Sequence, residues 1–323
     1  MNRRAFLATC SLSTFGCWNR GNPAAPDAEL ANARQNERGM LSRFRVPVGA
    51  QRTTAPPPVN VLEIFPELKP LLKITVRLHP RYGDEPDRTR SKLGGTLAGP
   101  PPLLNGQPGI GVLQLHAEDA PPQLRYPPGK DLLQLYWFPG EAGQPPIPRL
   151  VWGESQNLPD IPEKSPSHAG SIAHGLEPIP CRVHPERVWE FPPPSLMPRM
   201  MRERIQAWRP NHSDQPGISL FFEQLAAAPG TKVGGWPRWK TEPRTPACPG
   251  CRRLMDYLLT VDRQEWQPGI EDRWIPQEEQ DLSETEGYRQ PTGLSFAGHR
   301  AIHCYLCSTC EDYPAATLYA DLE

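Results

Sequence analysis

Ser91-Lys92-Leu93-Gly94-Gly95 and Thr231-Lys232-Val233-Gly234-Gly235 spell one five-residue pattern, Ser/Thr-Lys-Leu/Val-Gly-Gly, with Leu93 and Val233 140 residues apart. Each copy leads to an apolar run, Val112-Leu113-Gln114-Leu115 in the first and Leu258-Leu259-Thr260-Val261 in the second. A repeated motif followed by a repeated strand signal points to an internal duplication. The paired glycines mark turns where backbone passes close to other backbone or to a ligand, because glycine alone adopts positive φ without strain.

Working outward, runs of the same kind recur. Lys73-Ile74-Thr75-Val76-Arg77-Leu78 alternates as a half-buried strand does, and Leu132–Phe138, Arg149–Trp152, Val188–Phe191 and Ala301–Leu306 are apolar runs bounded by Pro, Gly or Asp. Helical crossovers are too few for a parallel sheet, so the connections read as antiparallel. Helical spacing is confined to the middle of the chain. Met201, Ile205 and Trp208 share one face over Arg199–Trp208; Ile218, Phe221, Phe222 and Leu225 share another over Gly217–Ala228, which Gly230 is placed to end. The expectation is an α+β, predominantly antiparallel β fold of two divergent repeats, about 59–192 and 217–323, joined by a helical linker at 195–216 within one domain, 59–323.

Composition agrees with that class. The 43 prolines among 323 residues disfavour long helices, since proline lacks a backbone donor and fixes φ. Lys and Arg number 35 against 36 Asp and Glu, with no basic run, so the electrostatic footprint of a nucleic-acid binder is missing. The acidic stretch Glu278, Glu279, Asp281, Glu284 and Glu286 lacks apolar periodicity and reads as a solvated loop. No later segment reads as a transmembrane helix.

Chemistry concentrates in the cysteines. Five of eight fall late in the chain, as Cys248-Pro-Gly-Cys251 and Cys304-Tyr-Leu-Cys307-Ser-Thr-Cys310. Two CxxC turns can each offer a pair of sulfurs to a tetrahedral Zn2+. Cys248 and Cys251 form one pair; Cys307 and Cys310 form the favoured second, with Cys304 and His303 as alternative ligands. Cys304 lies inside a strand signal, where its side chain packs in a sheet. Four thiolates would make a closed, structural site. In an oxidising compartment the same cysteines could form disulfides, or a CxxC could exchange thiols as in an envelope thiol-disulfide protein. Against exchange, no good helix follows Cys251 to stabilise a thiolate.

The N-terminus, Asn2-Arg3-Arg4-Ala5-Phe6-Leu7 and the weakly apolar run to Gly16-Cys17, resembles a twin-arginine export signal over 1–17, with Cys17 as a lipidation candidate. Export to the cell envelope, with a possible lipid anchor, is the expectation, followed by a disordered Pro-rich tether at 18–58. The alternative is a cytoplasmic protein starting near Met40.

Several motifs then fall into a recognisable order: Ser91–Gly95, Val112–Leu115, Asp131–Leu135, Lys232-Val233-Gly234-Gly235-Trp236-Pro237-Arg238-Trp239, Cys248-Pro249-Gly250-Cys251 with Leu258–Val261, and Cys307-Ser308-Thr309-Cys310. In this order and spacing the chain, over 60–323, resembles the DUF1963 (YwqG-like) family. The resemblance implies a mainly β, α+β fold with two related halves; the family has no established activity, so it assigns no catalytic residue. Cys307 and Cys310 match its motif. Where relatives carry Trp-Pro and a Cys or His pair, this chain has Pro102–Pro108, so no metal site is expected in the first half.

Function is therefore expected to be that of a non-catalytic binding protein with an unidentified protein or peptide partner and a structural zinc. Gly94, Gly95, Gly234, Gly235, Trp236 and Trp239 are ligand-binding candidates in a groove between the halves; for the tryptophans, packing around the Gly-Gly turn is the favoured alternative. A hydrolase using His168, His174 or His184 is the alternative from another class. No GxSxG, HExxH or phosphate-binding glycine loop is present.

Overall fold

The computed structural model describes residues 51–158, 175–210 and 216–320, apart from 84, 85, 88, 142 and 297. The export signal, Cys17, Met40, His168 and His174 lie outside the described residues.

Two six-stranded sheets carry the fold. One runs β10 (Glu186–Glu190), β1 (Lys73–Arg77), β11 (Lys232–Gly234), β12 (Asp256–Asp262), β13 (Ala301–Leu306), β14 (Ala315–Tyr319). The other runs β2 (Arg81–Tyr82), β9 (Cys181–Arg182), β3 (Lys92–Leu93), β6 (Ile110–His116), β7 (Leu132–Phe138), β8 (Ile147–Gly153). Every pairing is antiparallel, and a hairpin of β4 (Leu103–Leu104) and β5 (Gln107–Pro108) stands apart. The fold is thus α+β and strand-dominated. All seven residues of β7 are buried, as expected of a strand covered on both faces, which reads as a continuous apolar run.

The two pattern copies occupy equivalent places. In one sheet Lys92 pairs with Gln114 and Leu93 with Leu113; in the other Lys232 pairs with Thr260 and Val233 with Leu259. The strand that follows each copy carries a register shift at the same point, between Gly111 and Leu113 opposite Tyr136 and Leu135, and between Tyr257 and Leu259 opposite Tyr305 and Cys304. Such a bulge adds one residue and deepens the local twist. Side chains from both sheets share one core, with Val112, Leu115, Leu133 and Trp137 from one and Val76, Val233, Leu259, Val261 and Ile302 from the other.

A second, smaller core holds the helical middle. Helix α1 (Val61–Ile64) supplies Val61, α2 (Arg199–Ala207) supplies Ile205, and Phe65, Leu68, Phe191 and Phe221 complete it. Met201 and Trp208 pack on its edge, as the helical spacing expects. The Gly217–Ala228 helix departs from expectation. It begins as α3 (Gly217–Leu220), widens to a π turn over Phe221–Leu225 and ends there, so Gly230 does not terminate it. Gly230 instead takes φ +82° against the Glu265 carboxyl, where a Cβ would sit 2.8 Å from Oε2.

Two other expectations need correction. Residues 51–58, assigned to the tether, are bound to the folded body: Arg52 is buried on Glu279, and Thr54 donates to Glu186 through both its N–H and its hydroxyl, each at 2.6 Å. The acidic stretch is not wholly solvated, because Glu279 is buried between Arg52 and Arg81, whose coulombic pull and hydrogen bonds hold its carboxyl below the usual range despite burial. On β10 the polar position faces inward, with Glu190 0% and Trp189 58% exposed.

Candidate metal centre and a polar cleft

Two hairpin ends bring four cysteines together. Between β11 and β12, Ala247 bridges Leu254 and the Cys248 N–H donates to the Arg253 carbonyl at 2.8 Å. The turn inside this bridge closes because Arg252 takes φ +63° and its N–H donates to the Cys248 carbonyl at 2.9 Å. Between β13 and β14 the Cys307 N–H donates to the Pro314 carbonyl at 2.8 Å, and the Tyr313 N–H to the Cys310 carbonyl at 3.1 Å. Pairing of β12 with β13 sets the two loops side by side.

The ligand atoms of Cys248, Cys251, Cys307 and Cys310 all lie within 4.8 Å of one another, with Cys248 Sγ to Cys310 Sγ at 3.8 Å and Cys251 Sγ to Cys307 Sγ at 3.6 Å. Those spacings suit a shared ion: Zn–S bonds of about 2.3 Å arranged tetrahedrally put sulfurs roughly 3.8 Å apart. All four are free thiols, as are Cys181 and Cys304. The cluster is electrostatically uneven. Backbone N–H of Cys310, joined by that of Thr309, lowers the Cys307 thiol to about 6, whereas hydrogen bonds with Cys251 and Cys307 push Cys310 up to about 12. One thiolate forms readily and then opposes the next, so four thiolates together need a cation between them. The residues present can therefore hold a metal ion. Met255 and Tyr305 pack behind Cys248 and Cys307 and shield this end from water.

The alternative ligands lie elsewhere. Cys304 is buried in the shared core, where burial raises its thiol pKa. On the next position of the strand, His303 Nδ1 stands 2.9 Å from Thr260 Oγ1 and its ring meets Trp239 edge-on at 4.8 Å.

At the Gly-Gly turns the chain's own atoms pack closely against the glycines. Gly94 and Gly95 each have φ +70°, and a Cβ on Gly94 would meet the Pro178 carbonyl at 2.5 Å. Gly234 has φ +71° and Gly235 +73°; a Cβ on Gly235 would lie 2.0 Å from Glu190 Oε1. Glu190 accepts from Lys232 Nζ at 2.9 and 2.8 Å, from Ala228 N–H at 2.8 Å and from Trp236 N–H at 2.5 Å. Lys232 is fully buried, and that burial lowers it to about 8 against the pull of Glu190. Trp236 donates to the Leu71 carbonyl at 2.9 Å, and Lys73 lies 3.5 Å over its ring; Trp239 is buried. These residues assemble a turn. His184, the described member of the histidine trio, is held neutral, with burial lowering its pKa to about 4.

Sequence reasoning missed a polar cavity of about 340 Å³ whose lining includes Arg238, Arg289, Arg300, Asp262, Glu271, Thr260 and His303. Its parts come from several segments, and only Asp262, directly after the Leu258–Val261 strand signal, hinted at a charged strand end. Glu271 receives Arg238 at 2.8 Å and Arg300 at 2.7 Å, and Asp262 stands 3.4 Å from Arg300. Among known proteins, the chain matches no family model and no curated protein.

Proposed function

We propose that this chain is a non-catalytic binding protein whose C-terminal half is fastened by one structural Zn2+ on Cys248, Cys251, Cys307 and Cys310. The convergence of four sulfurs from two separate hairpin ends carries the reading. Four thiolates fill all four positions of a tetrahedral zinc, leaving none for water or substrate, so the ion fixes structure and does no chemistry. It would tie the β11–β12 loop to the β13–β14 loop across about sixty residues of chain.

Thiol exchange has less support. Cys251 is followed by the left-handed Arg252 and then by β12, so no helix begins at this CxxC to stabilise a thiolate. The shared strand order, the matching bulges and the two buried lysines support descent of the halves from a duplicated ancestor, and the resemblance to the DUF1963 family belongs to the same proposal. Replacement of the bound ion by Co2+ tests the zinc assignment. Intense thiolate-to-cobalt absorption with tetrahedral ligand-field bands is the expected spectrum; weak octahedral bands would overturn it.

A further inference from the structure

The two halves treat one position of their sheets differently. In the first half Gln114 and Gln134 face each other across β6 and β7, Gln134 Nε2 donates to Gln114 Oε1 at 3.0 Å, and both bond the backbone of Ala98, at 2.8 Å from its N–H and 2.6 Å to its carbonyl. That loop closes the face. The same register of β12 and β13 holds Thr260 opposite His303, and here the face opens into the cavity. Arg238 lies 140 residues after Ala98, the offset of the pattern copies. Its guanidinium is turned aside onto the Phe222 carbonyl at 2.9 Å and onto Glu271 at 2.8 Å.

Charge then identifies a ligand class. Arg238, Lys240, Arg289 and Arg300 line the cavity with two carboxylates, Asp262 and Glu271. Both carboxylates are engaged by Arg300, and Glu271 also by Arg238. Arg289 Nε is buried and has no hydrogen-bond partner among the described residues. The Arg289 side chain lines the cavity, and a guanidinium there suits an incoming oxyanion, which such groups grip in bidentate fashion. Thr260, Gln264, Gln267 and His303 offer hydrogen bonds to the rest of a ligand, and Phe222, Pro229 and Pro268 give it apolar walls. The volume falls in the range of roughly 300 to 1,000 Å³ usual for small-molecule sites.

We propose that this cleft binds a small hydroxylated organic anion, its carboxylate or phosphate held by Arg289. The inference rests on the reading of the chain as a binding protein and is independent of zinc. Isothermal titration of the metal-replete full chain with gluconate, glucose 6-phosphate, inorganic phosphate and neutral glucose tests it. We expect at least one of the two sugar acids to bind with a dissociation constant below about 1 mM, ahead of glucose, and Arg289→Gln to weaken it about tenfold or more, as loss of a charged hydrogen bond does. Lys240→Gln, at an exposed position, serves as a second variant should Arg289→Gln fail to fold. Binding of glucose as tight as that of its acids, binding unmoved by either variant, or no binding of any probe would overturn the inference. Metal content measured on the same samples separates that failure from failure of the zinc reading.

Discussion

In the first half Phe138 follows Tyr136, which stands opposite the bulge, by two positions and lays its ring on Gly109, where an added Cβ would sit 3.1 Å from the ring. In the second half Cys307 follows Tyr305, which stands opposite the bulge, by two positions and joins three other thiols. The hairpin between pattern and strand differs in the same sense. Asn105 and Gly106, at φ +50° and +77°, close it with a two-residue turn in the first half; Cys248–Arg253 close it in the second. Equivalent ends of equivalent sheets are thus secured by an apolar plug in one half and by a sulfur cluster in the other. The cluster, which could hold a metal ion, has no counterpart in the first half among the described residues.

The largest break in this comparison should come from Cys248→Ser. We expect loss of bound metal and of a sizeable part of the ~10 to 16 kcal/mol that structural zinc supplies to zinc-finger peptides, read by chemical denaturation. Phe138→Ala, its counterpart, should cost about 3 to 5 kcal/mol and leave metal content unchanged. Next in size is Lys232→Met. It strands the buried Glu190 carboxylate beside two backbone donors and should cost about 3 to 5 kcal/mol.

A pH profile sharpens the comparison further. Burial raises the Glu265 carboxyl to about 7 against the pull of Arg81 and Arg77, and its Oε2 has no hydrogen-bond partner among the described residues. A carboxyl whose folded pKa lies above its unfolded value favours the fold fully below about 4.5, and that advantage is lost as pH rises through about 7. Glu265→Gln should therefore gain about 1 to 3 kcal/mol over the wild type at pH 8 and little at pH 4.5, measured as the difference in unfolding free energy. Neutral His184, lowered to about 4, tilts both proteins equally and cancels in that difference. The smallest effect belongs to Gly106→Ala. Nothing lies within 4 Å of the added methyl, so only backbone strain of about 1 kcal/mol remains.

Much of the frame was legible because its long strands are apolar runs between Pro and Gly, and the cysteines were legible because CxxC spacing is local. What escaped was non-local or patternless. Ala315–Tyr319 became β14 through pairing with β13, although Ala-Ala-Thr-Leu-Tyr carries little alternation. Two-residue strands such as Cys181–Arg182 have no period to detect. The strand signal Val188–Phe191 did not show which way Glu190 points; it is buried on Lys232, 42 residues later. The cleft drew its charges from the end of β12, from the segment before β12 and from the long segment between β12 and β13, so no window of sequence contained it.

The central claim is that Cys248, Cys251, Cys307 and Cys310 share one zinc ion. Elemental analysis combined with thiol titration, on protein purified without added metal, addresses it most directly. One zinc per chain, with four further thiols becoming reactive after chelation, is the result expected. Protein without zinc whose cysteines are recovered as oxidised pairs would contradict it.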